Sequence, residues 1–232
     1  MKTTMESTVT VNVNDHDTAK TTAETPEREA TATSEGNGTA DWAKMSPVEI
    51  GEKLFQLRDF TPVPLILLML LAAKPTVVSA TLGLLVIALG ELIRTYAVSF
   101  IGGVSRTRTT STNQRLITEG AFSIVRNPLY VGNFMITAGV AIYSGVVWIV
   151  VLSAAAFAFQ YYYIVKYEES LLIKKFGSEY EDYLKKVPAW IPSSIPSMDT
   201  LPWPETFAPA IRSEKRTLTA IALVILMLML RA

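Results

Sequence analysis

The hydrophobic pattern splits the chain into a polar leader and a series of apolar blocks. Residues 1–40 hold no apolar run and are rich in Thr, Glu, Asp and Asn. Such a segment cannot bury enough surface to offset its ordering entropy, which predicts a disordered tail over 1–45 and not a secretory signal. Order is predicted to begin at Ser46. In "SPVE" a serine N-cap, a proline at the first helical position and a glutamate at the third form a capping-box pattern. The helix that follows, 46–58 with its cap, sets Val48, Ile50, Leu54, Phe55 and Leu57 among charges and suits a membrane surface.

Five apolar stretches follow: Phe60 to Ala73, Thr76 to Ile101, Pro128 to Tyr143, Val146 to Val165 and Leu218 to Leu230. A span takes about 20 residues at about 1.5 Å each, so the second and fourth are long enough alone and the others need flanking residues or a tilt. The expected fold is an all-α, polytopic membrane helix bundle of about four to five membrane helices, with residues 59–192 as its main domain. Between 187 and 209 lies the densest proline run, through which no helix can pass. Residues 193–232 therefore read as a Pro-rich connector and a C-terminal apolar helix, with Trp190 and Trp203 at the headgroup level.

Composition agrees with a membrane protein: half of the residues are apolar. Zero net charge gives no global field for nucleic acid. The absence of cysteine excludes disulfides, zinc–thiolate sites and cysteine nucleophiles, and the single histidine, His16, excludes a multi-histidine metal centre. Basic residues set the sides. Arg106, Arg108, Arg115 and Arg126 lie before the third block; Lys166, Lys174, Lys175, Lys185 and Lys186 follow the fourth; the opposite side has only Lys74 and the short Ser144-Gly145 link. The positive-inside rule then puts the N-terminus and both basic segments in the cytoplasm, in a bacterial inner membrane or its equivalent. The third and fourth blocks form a hairpin whose cytoplasmic ends are Arg126–Tyr130 and Tyr163–Glu169.

Candidate chemistry collects there. Asn127 is a strong N-cap and Pro128 fits the first helical turn, so free N–H groups would attract an anion. Arg126 could clamp a carboxylate bidentately, beside Tyr130 and a close approach at Gly132. The bland alternative is that Arg126 anchors to lipid phosphate. Glu168 and Glu169 could meet an ammonium group, ribose hydroxyls or a sulfonium, although neighbours on a helix diverge by about 100°, so one of the two is expected to face a given pocket. Glu91 and Arg94 share a face of the second block, inside the apolar zone. They form either a mutual ion pair or a substrate headgroup site.

"GAFSIVRNPLYVGN", starting at Gly120, followed by "YEESLLIKKFGSEYEDYLKKVPAWIP" resembles the isoprenylcysteine carboxyl methyltransferase family and its phospholipid-methyltransferase relatives. The pattern is carried by Arg126, Pro128, Tyr130 and Gly132; by Glu168 and Glu169; by Phe176, Gly177, Tyr180 and Tyr183; and by Val187, Pro188 and Pro192, within about residues 83–192. Position 127 is Asn where the eukaryotic pattern has His, which removes a titratable group. The resemblance implies a membrane methyltransferase with S-adenosylmethionine at the cytoplasmic end of the hairpin, at a site that includes Arg126, Tyr130 and a glutamate of the pair; the full set of cofactor-binding candidates is Gly120, Arg126, Asn127, Pro128, Tyr130, Gly132, Glu168 and Glu169. Catalytic candidates are Arg126, Glu168, Glu91 and Arg94, and no metal is implied. The acceptor would be lipid-like, by resemblance the carboxylate of an isoprenylcysteine-type substrate; a phospholipid amine is the alternative, for which Glu91 or a glutamate of the 168–169 pair could serve as base. Two rivals are a membrane reductase that binds NADPH through Arg106, Arg108 and Arg115, and a non-catalytic membrane protein.

Overall fold

A computed structural model describes residues 44–101, 115–194, 197, 199 and 201–231. The expected tail, His16, Arg106 and Arg108 lie outside these residues. The described residues form eight helices and no strand: α1 (Pro47–Leu57), α2 (Pro62–Ala72), α3 (Val77–Ile101), α4 (Ala121–Ile124), α5 (Pro128–Tyr143), α6 (Val147–Phe176), α7 (Ser178–Lys186) and α8 (Ala208–Arg231).

Local chemistry sets the boundaries. The capping box of α1 is complete: Glu49 N donates to Ser46 Oγ at 3.3 Å, and Ser46 N donates to the Glu49 carboxylate at 2.7 Å. Pro62 opens α2, which meets α1 at a 59° bend. Before α3, Thr76 and Ser79 cap each other, backbone N–H to hydroxyl, at 2.9 and 3.1 Å. Gly145, at φ 71°, turns the chain between α5 and α6, and Lys74 N donates to Ser144 O at 2.8 Å to tie that turn to the end of α2.

The helices α3 and α5 pack along a glycine seam. A Cβ on Gly83 would stand 2.6 Å from the Gly139 carbonyl, and one on Gly90 would stand 2.9 Å from the Gly132 carbonyl. Only glycine permits this approach, the small-residue device by which membrane helices gain van der Waals contact without a hydrophobic drive. Gly51 seats α1 against the backbone of Tyr163 in α6, so α1 docks on a helix as well as having an amphipathic face. The buried core near the α5–α6 turn joins Met69, Ile87, Val140, Tyr143, Ile149 and Leu228.

Two helices, α3 and α6, are long and apolar enough to cross a membrane, or three spans exist if the bent α1–α2 pair counts as one. Large apolar side chains face outward on both, among them Val77, Leu85 and Leu92 on α3 and Val147, Val151 and Phe159 on α6. An apolar exterior of this kind fits lipid. At 30 residues α6 is about ten longer than a span requires, so its last turns extend past the apolar zone. Gly177, at φ 55°, then redirects the chain into α7.

One boundary differs from the sequence reading. The last helix starts at Ala208, ten residues before the apolar block at Leu218, and takes in Arg212, Glu214, Lys215 and Arg216. Charges that argue for a connector in sequence are helical here because Glu214 has a buried cation to meet.

Candidate functional site

The start of α5 is assembled by Arg126. Its backbone N–H donates to Pro188 O at 2.8 Å. Its Nη1 donates to Val187 O at 2.6 Å and Leu184 O at 3.1 Å. Nη2 and Nε both reach Glu169 Oε1, at 2.9 and 3.3 Å. Arg126 thus ties the N-terminus of α5, the late turns of α6 and the segment after α7 into one unit. Asn127 occupies the N-cap position but makes no capping bond; its Nδ2 donates to Ala189 O at 3.2 Å instead. The expected side-chain cap, in which Oδ1 would accept from a backbone N–H of α5, is absent, and the side chain is held to the returning chain through its Nδ2 instead.

Beside this unit the Tyr130 hydroxyl donates to Glu168 Oε2 at 2.7 Å. Both glutamates therefore face one cavity, against the expectation that only one would. The cavity has a volume of about 350 Å³ and is bordered by Arg126, Asn127, Pro128, Tyr130, Glu168 and Glu169, together with Arg58, Asp59, Arg94, Phe122, Leu129, Asn133, Tyr161, Leu172 and Tyr180. That volume falls in the small-molecule range. Charged groups of both signs and aromatic faces share its wall. The Tyr130 and Tyr161 rings lie 4.6 Å apart, and Phe157 stacks on Tyr161 at 4.0 Å.

Gly120 and Gly132 do not border the cavity. Gly120, at φ 59°, lies against the Phe100 ring, and Gly132 packs on Gly90 and on the Arg94 stem. They shape the helices around the cavity. The Phe-Gly-x-x-Tyr-x-x-Tyr segment is explained in the same way: Tyr180 and Tyr183 are buried, and the Tyr183 hydroxyl donates to Phe122 O at 2.6 Å, holding α7 against α4.

Arg94 does not form its hydrogen-bonded ion pair with Glu91. Its Nη2 donates to both Glu214 oxygens, at 2.9 and 2.7 Å, and Nε adds a bond at 3.2 Å. Nη1 donates to Asn133 Oδ1. The guanidinium of α3 is thereby bound to α8, and neither the mutual pair with Glu91 nor a free headgroup site expected from the sequence is what Arg94 forms. Glu91 is buried with both carboxylate oxygens unpartnered, and it does not border the cavity. Sequence reasoning also missed Arg58 and Asp59, which line the cavity from the α1–α2 bend, and Asn133 and Tyr161. A signal existed for the first two: charges interrupting two apolar helices need a polar destination. Arg115, a candidate for a dinucleotide phosphate, is exposed and pairs with Glu119 at 2.8 Å, away from the cavity.

Residues 78–179 match the family described as phospholipid methyltransferase. The matched domain is less than half of the chain. That domain contains α5, α6, Arg94 and every glutamate of the cavity wall, while α1, α2 and α8 lie outside it. Similar proteins include the nickel-cobalt-cadmium resistance protein NccN of Alcaligenes xylosoxydans xylosoxydans, 30% identical over 112 residues, or 48% of this chain and 49% of that one. The cobalt-zinc-cadmium resistance protein CzcN of Cupriavidus metallidurans is 30% identical over 48% of each chain. Protein-S-isoprenylcysteine O-methyltransferase B of Arabidopsis thaliana is 32% identical over 119 residues, 47% of this chain and 57% of the relative. The chain thus spans about half the length of the curated relatives it matches.

Proposed function

We infer that this protein is a multi-pass membrane methyltransferase that transfers a methyl group from S-adenosylmethionine to a lipid-like acceptor. The observation that carries this reading is the cavity at the start of α5, where Arg126–Glu169 and Tyr130–Glu168 join the start of α5 to the late turns of α6. The donor set fits such a cofactor. Glu168 and Asp59 suit its ammonium and ribose hydroxyls, Arg58 its carboxylate, and Tyr161, Tyr180 and Phe122 offer faces for a heteroaromatic ring, while the Arg126–Glu169 pair is engaged within the protein and frames the site.

When bound, the cofactor supplies an electrophilic methyl group on a sulfonium. The protein then has to align the acceptor with it and keep water away. Arg126 holds the floor of the site by fixing the 184–189 segment. Tyr130 holds the Glu168 carboxylate in place. The acceptor enters from the bilayer side, and the cofactor from the side rich in Lys174, Lys175, Lys185 and Lys186. Those lysines support a cytoplasmic orientation of the site.

Equilibrium binding of labelled S-adenosylmethionine to the purified protein in detergent tests the reading, alongside Arg126→Ala and Glu168→Ala. Saturable binding by the wild type, weakened in both variants, is expected. Absence of binding by folded wild-type protein would refute it.

A further inference from the structure

The first turns of α8 have two faces of opposite kind. On the inner face Glu214 is 1% exposed and binds Arg94. On the outer face Arg212, Lys215 and Arg216 are exposed, and their spacing of three and four residues groups them within about 100° of the helix. None of these three has an ion-pair partner among the described residues. Like charges at such spacings repel, so the outer face destabilises its own helix until an anion meets it. The basic end of α7 is different. Lys185 and Lys186 stand there among Glu179, Glu181 and Asp182, and Lys185 pairs with Asp182 at 2.9 Å.

Contacts at both ends of α8 fix where its outer face stands. The Tyr96 hydroxyl donates to Pro202 O at 2.7 Å, and Glu214 closes on Arg94 at 2.7 Å, so the chain from 202 to 214 returns along the last turns of α3. Leu228, near the other end of α8, is buried with Val140, Tyr143 and Ile149 beside the α5–α6 turn. The helix therefore runs from the cavity end of the bundle to the opposite end. Its cations occupy the two turns before the apolar stretch from Leu218 to Leu230. Ile211 and Leu218 flank them and are exposed, and Trp203 is exposed with Phe207 beside it. An exposed tryptophan, then cations, then an apolar helix follow the order of a bilayer from its headgroups inward.

We propose that Arg212, Lys215 and Arg216 dock the phosphate of an anionic membrane lipid, and that this lipid holds α8 against α3. The acyl chains of the lipid lie along Ile211 and Leu218, which a soluble phosphate would leave uncovered. Because the cations and Glu214 share the same turns, what secures the outer face also secures Glu214 on Arg94. Arg94 in turn binds Asn133, and both border the cavity. A lipid outside the bundle thus steadies one wall of the cavity within it, whatever the cavity binds.

The test titrates the full chain, in an uncharged detergent, with labelled phosphatidylglycerol and labelled phosphatidylcholine. Equilibrium binding and the melting temperature are read together. The wild type is expected to bind phosphatidylglycerol about tenfold or more tighter than phosphatidylcholine and to melt higher with it. Each lysine or arginine near an anionic surface contributes about fivefold in affinity. Arg212→Gln with Lys215→Gln and Arg216→Gln should therefore lower phosphatidylglycerol binding by about a hundredfold and abolish the melting shift. Lys174→Gln with Lys175→Gln, Lys185→Gln and Lys186→Gln should change that binding by less than about threefold. Inorganic phosphate should not displace the lipid. Equal binding of the two lipids by the wild type overturns the proposal, and no variant has to fold for that result. An equal loss in the four-lysine variant overturns it as well, since any basic surface would then serve. Displacement by inorganic phosphate would reveal an ion site and overturn the lipid assignment.

Discussion

Two buried arginine–carboxylate pairs hold this protein together, and they differ in kind. Arg126–Glu169 closes at 2.9 Å with side chains 14% and 13% exposed, within the family domain and across 43 positions of chain. Arg94–Glu214 closes at 2.7 Å with side chains 15% and 2% exposed, across 120 positions and from a helix outside that domain. The first pair joins a helix start to a helix end at the side where α6 leaves the apolar zone, and it is supplemented by backbone carbonyls. The second sits deeper and fastens α8 to α3. Both residues of the first pair lie in the segment that matches the family model; the second pair joins that segment to a helix outside it. Buried pairs are seldom retained for net stability, since desolvation offsets much of the attraction. Both are better explained by the geometry they fix.

Removing either arginine leaves a buried carboxylate uncompensated, and that is where the comparison breaks most sharply. Arg126→Ala should lower stability by about 3–5 kcal/mol and also detach the 184–189 segment, so that donor binding falls by about a hundredfold or more. Thermal melting in detergent and labelled S-adenosylmethionine binding measure the two effects. Arg94→Ala should cost a similar about 3–5 kcal/mol through Glu214, yet leave donor affinity within about threefold, because Arg94 lies at the far end of the cavity. If Arg94→Ala destroyed donor binding in folded protein, the division between the two ends would be wrong. Arg94→Ala combined with Glu214→Leu should recover most of the stability, since a buried pair replaced by apolar groups is often neutral or better.

The neighbourhood of the first pair was legible in sequence, although Arg126 was expected to hold a ligand's carboxylate and not Glu169; the meeting of the second pair was not, for a physical reason. Arg126, Tyr130, Glu168 and Glu169 are placed by a hairpin, and a tight turn at Ser144-Gly145 fixes which residues of α5 and α6 face each other. Proline opens the helices at Pro47, Pro62 and Pro128, and at the first of them a complete capping box joins it. Nothing local joins Arg94 to Glu214. Their meeting depends on how α8 returns after a proline-rich segment, whose path shows only in contacts such as the Tyr96 hydroxyl bond to Pro202 O at 2.7 Å. The same distance in sequence hid the destination of Asn127, whose amide meets Ala189. Counting apolar residues also truncated α8 at Leu218, because a pattern cannot tell a charge that faces water from one that faces a buried arginine.

A smaller change sharpens the contrast within the donor end. Tyr130→Phe keeps the ring against Tyr161 and removes only the hydrogen bond to Glu168. A hydrogen bond to a charged group contributes about 1.5–3 kcal/mol, so donor affinity should fall by roughly tenfold to a hundredfold while acceptor preference stays as in the wild type. A shift in acceptor preference instead would mean that Tyr130 serves the other end of the cavity.

The smallest expected effect lies outside both ends. Ser46→Ala removes the hydroxyl that accepts from Glu49 N and breaks one half of the α1 capping box. Loss of such a cap costs about 1 kcal/mol. The helix it starts is seated on α6 through Gly51, and that seat is made of close backbone approach that the mutation leaves intact. Arg58 and Asp59, at the far end of α1, should therefore keep their places on the cavity wall. The expected outcome is a slightly lower melting temperature with unchanged binding of S-adenosylmethionine. A loss of binding comparable to that of Tyr130→Phe would show that the α1–α2 bend is held from its N-terminus and not by its packing on α6, and it would add that bend to the parts of the site that move together.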